Sequence, residues 1–316
     1  MSDGSWKKHL LRSGVPLEYE VGKILSARGM SISADLSFTR RDGMATKESS
    51  VDIHSQWYDS SDPNLSLEIL VECKFRSKNK TFLFLPDPNE SYSPATLGGT
   101  VQTFDFMMPY TISKDGFVEL ERNAEYVYKG IELSDEGAFQ DQLWHGIQQL
   151  RYGVPVNLKN AFEFNLLSNI SDSVALFFSN ILVTNASIRV LNSECKISDI
   201  ESASSLSEIS SEKDFVVLYS DYGPDYEDHF KTIFSGFLLK NENEAIERRK
   251  LIISKGKTVN WMNDPLRIFN DFENAIRYPL HNVGTQFFIV NLSHLDNLIS
   301  RIQNYCVAAY NGRSVS

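Results

Sequence analysis

The chain has 316 residues, 42% of them apolar and 23% charged, enough for one large domain or two modest ones. Its net charge of −10 argues against broad attraction to nucleic acid, yet residues 1–80 hold 12 Lys/Arg against 11 Asp/Glu, so the acid excess lies in the rest. No stretch approaches the roughly 18 consecutive apolar residues of a membrane span, and the start MSDGSWKKHLLRSG lacks the apolar core of a secretion signal.

Cys73, Cys195 and Cys306 are odd in number and far apart, which implies neither a disulfide framework nor a zinc cluster. A cytoplasmic protein without membrane contact is expected.

In chain order, GVPLEYEVGKILSARG predicts a helix: Leu17, Val21 and Ile24 recur at helical spacing, with Pro16 early and Gly29 at the far end. MSISADLSF alternates as a strand does. Residues 49–80 then read as two strands around the turn DSSDPNLS. Residues 81–138, with FLFLP, FVELE and YVYKGIEL between prolines and glycines, read as a β-rich insertion.

AFQDQLWHGIQQLRYGV predicts a helix with an apolar stripe of Leu143, Ile147, Leu150 and Val154 and an end near Gly153. SVALFFSNILVTNASIRVLN predicts strands, and the Ser-rich SDIESASSLSEISSEKD predicts a linker or a solvated helix. A domain boundary is therefore expected near 195, dividing the chain into 1–195 and a C-terminal α/β or α+β region, 196–316. That region reads as strand FVVLYS, helices around DYEDHFKTIFSGFLL, NENEAIERRKLIIS and PLRIFNDFENAIRY, strand QFFIVNL and a final helix SHLDNLISRIQNYCVAAY.

Side-chain parity in LEILVECKF puts Ile69, Val71, Cys73 and Phe75 on one face of the strand and Leu70, Glu72 and Lys74 on the other. A carboxylate at the rim of a core needs a partner. Lys74, or a metal shared with Asp52, would serve. If the strand persists, Arg76, Lys78 and Lys80 extend the same face as a row of cations suited to phosphates.

A helix with an early Glu18, a strand, a strand carrying Asp52 in VDIH, a strand carrying Glu72 and Lys74 in VECK, and a following helix resemble the PD-(D/E)XK nuclease superfamily, the restriction endonuclease-like fold, over about residues 10–190. Val51 stands where the superfamily's name has proline, and the 81–138 insertion is a second departure. The resemblance implies an α/β core, a mixed central sheet flanked by helices. It also implies a Mg²⁺-dependent (Mn²⁺ possible) DNA endonuclease of restriction or phage-defence type.

Asp52 and Glu72 would hold the metal, Glu18 a second ion or the water shell, and Lys74 would assist the attacking water. DNA is the expected partner ahead of RNA, with a homodimer or a partner defence subunit in prospect. The alternative is a catalytically silent module that binds nucleic acid or scaffolds a complex through its acidic C-terminal half.

Gln148 and Tyr152 match the Gln-x-x-x-Tyr pattern of a branch resembling recombination exonucleases, but at about 100° per residue both lie opposite the apolar stripe. Gln149, on the helix flank with Gln142, is expected nearer the site. His54 shares the strand face of Asp52, as a polar neighbour or phosphate contact. Asp221, Asp225, Glu227, Asp228 and His229 fit no ligand spacing and are expected to be structural.

Overall fold

The computed structural model describes residues 5–42, 45–61, 64–77, 79–88, 100–104, 110–111, 124–167, 175–259, 264–312 and 314–315. The strands are β1 (Ser31–Asp42), β2 (Ala45–Tyr58), β3 (Leu65–Lys74), β4 (Thr81–Pro86), β5 (Gln102–Phe104), β6 (Tyr110–Thr111), β7 (Glu125–Ser134), β8 (Gly137–Phe139), β9 (Ala175–Thr184), β10 (Ser187–Leu191), β11 (Ser210–Glu212), β12 (Phe215–Tyr219), β13 (Gln286–Asn291) and β14 (Ser314–Val315). The helices of eight residues or more are α1 (Ser5–Arg12), α2 (Val15–Ala27), α3 (Asp141–Leu167), α4 (Pro224–Ser254), α5 (Tyr278–Thr285) and α6 (Leu295–Asn311).

Twelve strands form one mixed sheet in the order β1-β2-β3-β9-β13-β12-β7-β4-β10-β11, with β5 paired to β9 and β8 to β7. Strands β1, β2 and β3 run antiparallel in succession, and β9 lies parallel to β3 along the whole of β3, reached by way of α3. Every residue of β3 from Leu65 to Cys73 is buried, as expected of a strand covered on both faces.

One face packs an apolar cluster that includes Leu70, Leu143, Ile147, Leu150, Phe230, Phe234 and Leu280, under α3, α4 and α5. The opposite face packs Leu17, Val21, Leu25, Ile69, Val71, Ile299 and Ile302, under α2 and α6. Each large side chain so buried contributes about 1.5–3 kcal/mol. On α4 the recurrence of Tyr226, Phe230, Phe234 and Phe237 every three to four residues supplies the stripe that meets Phe162 of α3.

Several expectations are corrected. The 81–138 segment, expected as a β-rich insertion, contributes β4 and β7 to the main sheet itself, between β12 and β10. Strands from both sides of the expected boundary near 195 alternate in that sheet, with β13 between β9 and β12, so backbone hydrogen bonds join 1–195 to 196–316. Helix α3 continues past Gly153 and Pro155 to Leu167. The two helices expected over 225–254 are one, because no breaker separates them. No described helix is long and apolar enough to cross a membrane.

Candidate active site

The site forms where β2 parts from β3. Register between them runs from Tyr58↔Ser66 to Ile53↔Val71, so one step further sets Asp52 opposite Glu72. Beyond that point the Cys73 N–H lacks a ladder carbonyl, and Asp52 Oδ2 accepts from it at 2.7 Å. Asp52 is thus held at the fork of the two strands, while Glu72 lies on the α3 face and is fully buried.

Glu72 Oε1 accepts from Lys74 Nζ at 2.5 Å, and Glu72 Oε2 is buried without a hydrogen-bond partner. Lys74 Nζ also donates to Gln149 Oε1 at 3.1 Å, and Gln149 Nε2 donates to Ser50 O at 2.8 Å. Gln149 therefore ties the lysine to the β2 backbone just before Asp52. Gly146 makes the approach of α3 possible: a Cβ there would meet Leu182 Cδ1 at 2.8 Å, Lys74 Cε at 2.9 Å and Glu72 Cγ at 3.4 Å.

Burial pushes the Glu72 carboxyl from 4.5 up to about 8, against the pull of Lys74 and with a further push from Asp52. Asp52 is raised too, first by burial, with the Cys73 N–H and Lys74 opposing. Glu18, in the first turn of α2, is raised by burial and then by Asp52 and Asp35, so it shares their field. Carboxyls that resist ionisation in one place favour any cation that can join them.

The described residues contain no group of three or more His, Cys, Asp and Glu side chains placed to hold a metal ion. Mg²⁺ needs fewer protein ligands, since it keeps several waters and binds through one or two carboxylates. The orphaned Glu72 Oε2 beside Asp52 fits that demand.

The remaining expected residues fall outside this group or on its margin. Arg76 does not continue a strand, because β3 ends at Lys74; its guanidinium bonds Glu132 at 2.6 Å, and Lys80 Nζ bonds the other oxygen of Glu132 at 2.6 Å. The cation row is thus spent on an acid of β7, and Lys78 lies outside the described residues. Gln148 is half-buried on α3.

Tyr152 turns away from the site: it is 2% exposed, donates its hydroxyl to Asp225, and packs edge-on against Tyr226 and His229. His54 pairs with Glu68, and His229 donates to or accepts from nothing catalytic, its Nε2 lying 3.0 Å from Tyr152 O. Glu227 pairs with Arg277 at 3.0 Å.

Sequence reasoning missed His145, Arg40 and Lys47. His145 stands one turn ahead of Gln149 and bonds it; its imidazole pKa is lowered by burial and by Lys74, Lys47 and Arg40. Arg40 and Lys47 are cross-strand partners in the β1–β2 hairpin. The i, i+4 spacing of His145 and Gln149 was the legible signal; the hairpin cations had none. Asp35, the one described non-Gly residue with positive φ (56°), lies opposite Asp52 by register and adds to the acidic field.

No protein-family model, curated protein or solved structure matches the chain.

Proposed function

We propose that the chain is a divalent-metal-dependent phosphodiesterase acting on DNA as an endonuclease, built on a PD-(D/E)XK-like core. The observation that carries this reading is the meeting of Asp52, Glu72 and Lys74 at the fork of β2 and β3, with one Glu72 oxygen buried and unpartnered. The order α2, β1, β2, β3 and, after β4–β8, α3 supports it, being the succession on which the resemblance rests.

Asp52 and Glu72 would hold Mg²⁺ or Mn²⁺, and Glu18, which lines one groove with Asp52, would serve its water shell; the ion would supply Lewis-acid charge at the scissile phosphate. The chain's own groups do the rest. Lys74, positioned by Gln149, presents an ammonium to the attacking water and to negative charge that grows on the phosphate. Gln149 keeps the lysine from folding entirely onto Glu72. Lys47 lies close enough to act with Lys74 on the imidazole of His145, adding positive charge on the side where a phosphate would lie.

The test is cleavage of plasmid and single-stranded DNA by the purified chain with and without Mg²⁺ or Mn²⁺, beside Glu72→Gln and Lys74→Ala. Each substitution is expected to lower the metal-dependent rate by about 10²-fold or more. Undiminished cleavage by both variants would remove the assignment. Tight DNA binding without any cleavage would favour the silent binding module.

A further inference from the structure

On the other side of Asp52 from Lys74, a groove of about 400 Å³ runs between α2 and β1. Its walls are Val15, Tyr19, Gly22, Ile32 and Ala34, and it reaches Glu18 and Asp52. Three of these apolar side chains stand open: Tyr19 is 70% exposed, Val15 56% and Ile32 38%. Lys23 Nζ sits 5.7 Å from the centre of the Tyr19 ring, at the rim. Just before α2, α1 carries Trp6 with Lys7, Lys8 and Arg12, no acid in its first turn and no buried side chain.

Asp52 therefore separates two unlike surfaces. One carries the cations Lys74 and Lys47 beside the imidazole of His145; the other is apolar and aromatic, with lysine at its edge. A single nucleotide has the same division, a phosphate at one end and a flat, weakly polar base at the other. In a duplex the bases are stacked inside and the phosphates lie outermost, so a base can enter such a groove only when it is unpaired. Aromatic rings interleaved with cations are how proteins hold single strands, through base stacking and backbone charge together. The groove's size also lies within the roughly 300–1,000 Å³ of small-ligand clefts.

We infer that this groove seats an unpaired nucleobase next to the scissile phosphate, so that the chain acts on single-stranded nucleic acid. The inference rests on the phosphodiesterase reading for its phosphate, and on the groove alone for its base. Tyr19 is the stacking residue, and Val15 and Ile32 form the wall beside it.

Fluorescence anisotropy with a labelled oligothymidine and a labelled duplex, on the full chain without metal, tests it. The single strand is expected to bind about 10-fold or more tightly than the duplex, and Tyr19→Ala to remove most of that preference. Because Tyr19 is 70% exposed, the variant's thermal unfolding should match the parent's. Ile32→Glu, which puts a charge in the wall, is the second variant and should weaken single-strand binding similarly.

Equal affinity for both oligonucleotides overturns the inference, as does an unchanged preference in both variants. So does a change in sedimentation without a change in binding, which would make the groove a contact between copies. Metal-dependent cleavage is scored separately on both substrates: its absence from the parent sinks the phosphodiesterase reading, whatever the anisotropy reports.

Discussion

At the residue scale, the site is governed by the cost of burying Glu72. Lys74 donates to one of its oxygens, the other is buried without a side-chain donor, and the Asp52 carboxyl stands beside it among the apolar neighbours of β3 and α3. A carboxyl raised from 4.5 to about 8 keeps in the folded state a proton that the unfolded chain has released. Folded stability of the metal-free protein should therefore fall as pH rises through that window, by about 1.4 kcal/mol per pH unit at most for this group.

Asp52 and Glu18, raised in the same direction, add to the slope. Urea unfolding in chelator at stepped pH measures it. Glu72→Gln should flatten the decline, and Mg²⁺ added above about pH 8 should recover the lost stability in the parent but not in the variant. A decline as steep in Glu72→Gln as in the parent would show that some other group titrates.

At the scale of elements, α3 is what converts a pair of charged residues into a site. It touches β3 through two glycines seven residues apart and so on one helical face. A Cβ on Gly146 would press on Leu182, Lys74 and Glu72, and one on Gly153 would press on Val51 Cγ2 at 2.7 Å. Gly146→Ala is expected to cost about 1–3 kcal/mol through overpacking and to lower metal-dependent cleavage at least 10-fold, because the new methyl displaces Lys74 from Gln149, whether the lysine or the helix gives way. Thermal unfolding and the cleavage rate measure the two effects; full activity in a destabilised variant would mean that the position of α3 does not set the chemistry.

Tyr152 illustrates how a helix-wheel argument fails here. It lies opposite the sheet-facing stripe, which predicts solvent, yet α4 covers that side, so Tyr152 meets Tyr226, His229 and Asp225. Gln149, on the flank between the two covered faces, is the one that reaches Lys74.

At the scale of the whole molecule, the sheet makes the chain one cooperative body. Strands β12 and β13 fill the gap between β9 and β7, and buried Arg151 of α3 donates to Ser220 O at 2.5 Å and to Gly284 O at 2.8 Å. A fragment ending at 195 would leave β9 and β7 as open edges and strip α4 and α5 from the apolar face that holds Leu143, Ile147 and Phe162. Such edges invite aggregation. The fragment should fail to give a cooperative thermal transition by circular dichroism, although it contains Glu18, Asp52, Glu72, Lys74 and Gln149; a well-folded, cleaving fragment would refute this account of the sheet.

The amino-acid sequence by itself determined the local part of this protein: the helix of Leu17 and Val21, the strand that carries Glu72 and Lys74 on one face, and the neighbouring strand with Asp52. Those features depend on the 3.6- and 2-residue periods, which neighbouring residues impose. Only the tertiary structure decided that Arg76 and Lys80 are spent on Glu132, that Tyr152 is core, that β4 and β7 belong to the sheet, and that Lys74, Lys47 and Arg40 act together on His145. Each of those outcomes is a contact between residues far apart in the chain, and pairing over such distances is set by which faces remain uncovered once the whole sheet has assembled.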